Sequence, residues 1–354
     1  MEDALKSMQS LVQRAGSERR HLCIRGGGTK DFYGGPIHDY QLSTVDYRGI
    51  VTYEPTELVI TARAGTPLAE IEAALRAKGQ MLAFEPPHFG AGATLGGCVA
   101  AGLSGPRRPY AGAVRDFVLG VRILDGKGDD LRFGGEVMKN VAGYDVSRLM
   151  AGALGTLGVL LEVSLKVLPL PPFETTLLLK RREAEAIALM NEWAARPLPV
   201  TATAYRDGNL RVRLSGARVA VDAALKKVGG EAAAPADAER FWAEIREQAD
   251  PFFAGDVPLW RLSIKPTTPP LDLPGAQLME WSGALRWLKS DADAKTVRDA
   301  AARAGGHATL FRGGDKSQGV FHPLPPVMMK LHRNLKQAFD PAGILNPGRL
   351  YRDL

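Results

Sequence analysis

The chain has 354 residues, enough for one large or two modest domains, and 45 basic against 39 acidic side chains give it a net charge of +6. Two cysteines, Cys23 and Cys98, exclude a disulfide-rich scaffold, an all-cysteine zinc site and a self-contained iron–sulfur cluster. Glycine is over-represented at 39 residues, and 25 of these precede residue 169, whereas all five tryptophans follow residue 190.

Residues 3–15 carry apolar side chains at helical spacing and are followed by Gly16, which predicts an opening helix. Residues 21–24 read as a short strand running into the loop 25-RGGGTK-30, and residues 58–63 as a second strand. Thr66-Pro67 predicts a helix through Lys78, with threonine as N-cap, proline at the first helical position and Gly79 after the end. Residues 117–124 and 130–133 flank Gly126-Lys127-Gly128 as a hairpin, residues 145–153 read as a helix, and residues 159–168 as an apolar strand. Prolines at 169, 171 and 172 then mark a domain boundary. Beyond it, strands near 175–180, 200–205 and 210–214 alternate with helices near 182–195, 217–228 and 236–248, an α+β pattern. Helices at 292–304 and 325–338 precede the tail.

The loop 25–30 places three consecutive glycines after a strand, so its backbone can turn successive N–H groups inward as an anion nest, with Arg25 and Lys30 at the rim. A plain surface turn is the competing reading. Two other nucleotide motifs fail on spacing: Gly28-Thr29-Lys30 has the wrong order for a Walker A loop, and residues 90–96 miss the Rossmann fingerprint by one position. What stands out is that three glycine-rich segments, 25–30, 90–105 and 152–160, share one stretch of chain. A dinucleotide with a central pyrophosphate needs several such close backbone approaches.

Other classes are set aside on charge and hydropathy. The densest basic run, Lys180-Arg181-Arg182, has no interleaved aromatics, so a solvated face is expected and no nucleic-acid partner. The uncharged window 86–106 has 21 residues, but its three prolines and six glycines read as folded turns rather than a membrane span. No charged leader precedes an apolar core, so a soluble, cytoplasmic protein is the expectation.

Taken in order, 25-RGGGT-29, 94-TLGG-97, 139-KNVAGYD-145, 155-GTLGV-159 and 345-LNPGR-349 resemble the FAD-binding domain of the vanillyl-alcohol oxidase, or PCMH-type, flavoproteins. Residues 84–116 and 132–168 are most similar to the accessory flavin-binding subunits of bacterial glycolate-oxidising complexes, which turn glycolate into glyoxylate. The resemblance implies an α+β fold: a PCMH-type FAD domain of two α+β subdomains over 1–170, a smaller α+β cap over 171–322, and a helix and tail over 323–354 returning to the FAD domain. It assigns the pyrophosphate to Arg25, Gly26, Gly27, Gly28 and Thr29, the flavin side to Pro86, Thr94, Leu95 and Gly97, the adenine end to Gly158 and Val159, and a place near the isoalloxazine ring to Asn346. Thr29 stands where some members carry a tethering histidine, which implies non-covalent FAD. The implied partners are a catalytic flavoprotein subunit and an iron–sulfur subunit, with membrane attachment only through them.

Catalytic relatives carry a histidine-rich segment in the second domain; the matching stretch here, residues 305–315, lacks the second histidine. Arg312, Lys316 and His322 remain as candidates, Arg312 to clamp a substrate carboxylate and His322 to act as base. His322 precedes Pro323, and its alternative role is to satisfy backbone groups. His307, His322 and His332 have no metal-site spacing. His88 could face the flavin or hold a turn, Cys98 reads as a small core residue, and the tryptophans read either as core or as interface residues. Two alternatives follow: a self-sufficient 2-hydroxy-acid dehydrogenase, and an assembly subunit with a purely structural nucleotide pocket.

Overall fold

A computed structural model describes residues 2–38, 40–135 and 145–354. These fall into two compact units, one of Met1–Leu103, Ala113–Pro169 and Pro323–Leu354, the other of Ser104–Gly112 and Leu170–His322. The short segment Ser104–Gly112 thus belongs with the second unit, although the proline boundary alone groups it with the first.

The first unit is built on a five-stranded antiparallel sheet in the order Ile50–Glu54, Val59–Arg63, Val159–Lys166, Val118–Leu124, Asp130–Gly134. Its central strand Val159–Lys166 is buried at seven of eight positions, Glu162 and Ser164 included, which explains its mostly apolar composition. Val118–Leu124 and Asp130–Gly134 form the expected hairpin. The opening helix, Glu2–Glu18, packs Met8, Val12 and Ala15 against Leu22, Val159, Leu161 and the tail residues Ile344 and Leu345. It runs through Gly16 and ends only at Arg19, which takes the left-handed conformation (φ 51°). A parallel pair, Cys23–Arg25 with Gln41–Ser43, lies beside the glycine loop.

The helix Leu68–Arg76 forms where expected, but Pro67 occupies the N-cap position and no side chain caps it. The Thr66 hydroxyl instead accepts from Gly49 N–H at 2.9 Å and lies 3.2 Å from Gly49 O, fixing the neighbouring loop. The helix expected over 145–153 shrinks to Val146–Leu149, capped by Asp145 and followed by positive φ at Gly152, Leu154 and Gly155. Apart from Asp145, the 139–145 motif lies outside the described residues.

The second unit holds an eight-stranded antiparallel sheet in the order Glu231–Ala232, Phe173–Lys180, Asn209–Gly216, Val200–Arg206, Ala276–Glu280, Leu285–Lys289, Leu259–Ser263, His307–Arg312. Helices Glu183–Ala194 and Arg218–Val228 close one core, and Ala294–Arg303 another. All five tryptophans are core residues, at most 5% exposed, which removes them as an interface. The Trp281 indole N–H donates to Gly105 O at 3.1 Å, and the Tyr110 hydroxyl lies 2.6 Å from Ser282 Oγ, so both anchor the Ser104–Gly112 segment within this unit.

Candidate functional site

Two adjoining hollows lie in the first unit, with Ile24, Gly26, Gly97, Ala100, Leu154 and Asn346 in the wall of both. One is polar: Arg25, Gly26, Gly27, Gly28, Thr29, Lys30 and Asp31 run along it, with Thr94 and Arg349 opposite. The other is mostly apolar, walled by Ala64, Met150, Ala153, Leu160 and the glycines 96, 97, 155 and 158. The sequence therefore supplies, side by side, a lining suited to a charged diphosphate and one suited to a flat ring.

Each wall is held by packing that only small residues permit. Thr94 caps the helix Leu95–Ala101, its Oγ1 accepting from Gly97 N–H at 3.2 Å. A Cβ on Gly26 would collide with that hydroxyl, and one on Gly27 would collide with Gly92 O, so the loops 25–30 and 90–97 are in direct backbone contact. Gly96 is pressed on Ala64, whose Cβ an added methyl would meet at 2.7 Å. Much of the glycine richness thus serves loop-on-loop packing that shapes the hollow.

The tail reaches the same place from the other end of the chain. Asn346 sits at φ 42°, a left-handed position that asparagine tolerates. Its Oδ1 accepts from Ile24 N–H at 2.7 Å, and its Nδ2 donates to Leu154 O at 2.6 Å. Asn346 therefore lines the hollows as a staple between the first strand and the 152–158 turn. Arg349, buried, donates to Asp31 O, Gly35 O and Tyr33 O and fixes the far end of the glycine loop.

The other expected cofactor residues divide. Gly158 lines the apolar hollow, whereas Leu95 and Val159 are fully buried core side chains and Pro86 lies outside both linings. His88 does not line the hollows either: its Nε2 lies 3.2 Å from Glu72 Oε2, and its carbonyl accepts from Lys30 Nζ at 3.1 Å. It braces the rim. Cys98 is buried in the helix Leu95–Ala101 with its thiol pushed up to about 12 by burial, so it is a core residue without thiolate character.

The three catalytic candidates are not brought together. His322 faces the start of the strand His307–Arg312, its Nδ1 accepting from Ala308 N–H at 3.4 Å, while Arg312 at the other end of that strand donates to Gln248 Oε1 at 2.7 Å. Ala308 and Arg312 are four positions apart on this strand, roughly 13 Å along an extended backbone. Lys316 lies in the short helix Lys316–Gln318 beyond. Burial holds both the His322 imidazole and the Arg312 guanidinium below their ordinary pKa ranges.

The residues present fit FAD. Arg25 Nε is buried without a hydrogen-bond partner in the polar wall, beside an unbroken run of glycine amides, and Arg25 also pairs with Asp31. Gly28 takes the left-handed conformation (φ 73°), which favours glycine at that point of the nest.

Comparison with known proteins agrees with FAD as the cofactor. The family model of an FAD binding domain matches residues 4–134, and that of the C-terminal domain of FAD linked oxidases matches residues 312–350. Alkyldihydroxyacetonephosphate synthase shares the fold, with a TM-score of 0.66 at 16% identity over 97% of this chain and 74% of that one. Fold and site together define an FAD-linked oxidoreductase chain of the PCMH type. Glycolate oxidase subunit GlcD of Bacillus subtilis is 32% identical over 154 residues, 43% of this chain and 33% of that protein. Glycolate oxidase subunit GlcE of Escherichia coli is 51% identical over 352 residues, 99% of both chains. The chain belongs to the glycolate oxidase GlcE subunit family.

Proposed function

We propose that this chain is the FAD-binding subunit of a complex that oxidises glycolate to glyoxylate. The observation that carries the reading is the paired hollow of the first unit, polar on one side and apolar on the other, in a chain similar along its whole length to a glycolate oxidase subunit. When bound, the flavin supplies a two-electron acceptor for the hydroxy acid. Arg25 and the amides of Gly26, Gly27 and Gly28 neutralise and orient the pyrophosphate, and Thr29 and Thr94 offer hydroxyls at its edge. The Gly97, Gly158 and Asn346 walls exclude water from the rest of the dinucleotide. Thr29, which has no imidazole to form a tether, leaves FAD non-covalent.

The scattering of Arg312, Lys316 and His322 argues for a subunit that shares its chemistry with partners rather than for a self-sufficient dehydrogenase. Electrons leave through a catalytic flavoprotein subunit and an iron–sulfur subunit, and the complex lies on the cytoplasmic side, attached to a membrane only through those partners. No helix among the described residues is long and apolar enough to cross a membrane.

The test is an absorption spectrum of the isolated protein. Flavin bands that acid precipitation transfers entirely to the supernatant are expected. A colourless protein that still restores activity to the other subunits would replace this reading with a structural nucleotide pocket.

A further inference from the structure

The C-terminal helix Pro326–Phe339 buries one residue, and that residue is a lysine. Lys336 is 8% exposed, and an ammonium has three N–H groups to place. Nζ lies 2.9 Å from Thr156 O, 2.6 Å from Leu345 O and 2.7 Å from Asp340 Oδ2, so all three are placed. Asp340 is itself buried and takes Ile344 N–H at 3.1 Å and Leu345 N–H at 2.7 Å. The two backbone carbonyls that Lys336 holds belong to two of the segments that wall the apolar hollow. Thr156 lies between Gly155 and Gly158, and Leu345 immediately precedes Asn346. Asn346 holds the same turn through Leu154 O.

We infer that Lys336 is a positioning residue for the flavin cofactor: its ammonium, anchored by Asp340, sets the 153–158 turn and Asn346 in the register that FAD binding requires. This rests on the placement of FAD in the first-unit hollows. Burial alone disfavours a charged lysine, and its pKa is held below the ordinary range by that burial despite the Asp340 carboxylate. An apolar residue would fill the same space without the desolvation cost, so the charge is retained for the contacts it makes. Without the lysine, Thr156 O and Leu345 O lose their donor, and the buried Asp340 carboxylate loses its cation and keeps only its two amide partners.

The decisive experiment measures FAD affinity of the apoprotein by flavin fluorescence, with apoprotein melting temperature and the visible circular dichroism of the saturated flavin as second readouts. Lys336→Met is expected to bind FAD roughly tenfold more weakly or worse, with altered dichroism at saturation. Arg333→Met, one turn earlier in an exposed pair with Asp353, is expected to match wild type. A folded Lys336→Met protein with wild-type affinity and dichroism overturns the inference. Should that variant not fold, Asp340→Asn decides: weakened FAD binding supports the role and unchanged binding overturns it. Wild-type protein that takes up no flavin is a different result, and it removes the cofactor placement together with this inference.

Discussion

At the level of single residues, the site depends on two kinds of side chain with opposite demands. Asn346 must be polar, because its amide satisfies a half-buried donor and a buried acceptor at once. Asn346→Leu leaves Ile24 N–H and Leu154 O unpaired, at about 1–3 kcal/mol for each group. Loss of most bound flavin and a lower melting temperature are expected, read by flavin-to-protein absorbance ratio and thermal melts. Gly27 must have no side chain at all. Gly27→Ala drives a methyl into Gly92 O, where neither partner is a flexible side-chain end, and overpacking of this kind costs about 1–3 kcal/mol. The variant is expected to fold with its FAD site lost, which equilibrium binding would show; wild-type affinity would mean that the two loops can part freely. These demands were unequally visible in the sequence. Three successive glycines announce a loop that needs backbone freedom. The burial of Arg349 and the reach of Lys336 to the 153–158 turn are not announced locally, because the Arg349 acceptors and Thr156 lie more than 310 and 180 residues away.

At the level of elements, the local signals succeeded where one face of a strand or helix is apolar and failed where polar groups are buried. The hairpin 118–134 and the helices of the second unit stand where periodicity places them. The strands Ala276–Glu280, Leu285–Lys289 and His307–Arg312 do not announce themselves, because buried Glu280, Arg286 and Thr309 interrupt their alternation. Arg286 is accommodated by Gly283 O at 2.7 Å and Thr268 O at 2.8 Å, and Glu280 by the Trp287 indole N–H at 2.7 Å. The strand end at His322 carries a pH prediction. Burial first, and the Arg298 cation second, hold the imidazole below its ordinary value of 6.5. The folded state therefore takes up this proton at lower pH than the unfolded chain does. The stability from the neutral ring is present above pH 6.5 and is lost as pH falls through and below it. Melting temperature is expected to drop between pH 7.5 and pH 5.5, roughly the range over which a histidine of this kind changes charge. His322→Gln, which keeps an acceptor for Ala308 N–H, is expected to make that drop shallower, and an unchanged slope would exclude His322 as its source.

For the whole molecule, the question is where electrons go once the flavin holds them. The two cysteines are buried and unpaired to each other, and burial raises both thiols above the ordinary value, so neither offers a thiolate relay. Of the catalytic candidates, His322 accepts from Ala308 N–H near one end of the strand His307–Arg312, and Arg312 at the other end donates to Gln248. A chain with a well-formed dinucleotide site and neither a relay nor an assembled acid–base cluster among its candidates is suited to work inside a complex, as the GlcE subunit name of its 51%-identical relative describes. The isolated, FAD-loaded chain is therefore expected to reduce an artificial electron acceptor with glycolate only at background rate, and to gain steady turnover when the other subunits are added. Arg312→Ala and His322→Gln are expected to leave that reconstituted rate within about twofold, a difference of no more than ~0.4 kcal/mol in barrier. Steady glycolate-dependent dye reduction by the chain alone, abolished by Arg312→Ala, would instead make it a dehydrogenase in its own right. The same assay separates the two because the second outcome requires Arg312 to meet substrate, and Arg312 is held by Gln248 at 2.7 Å.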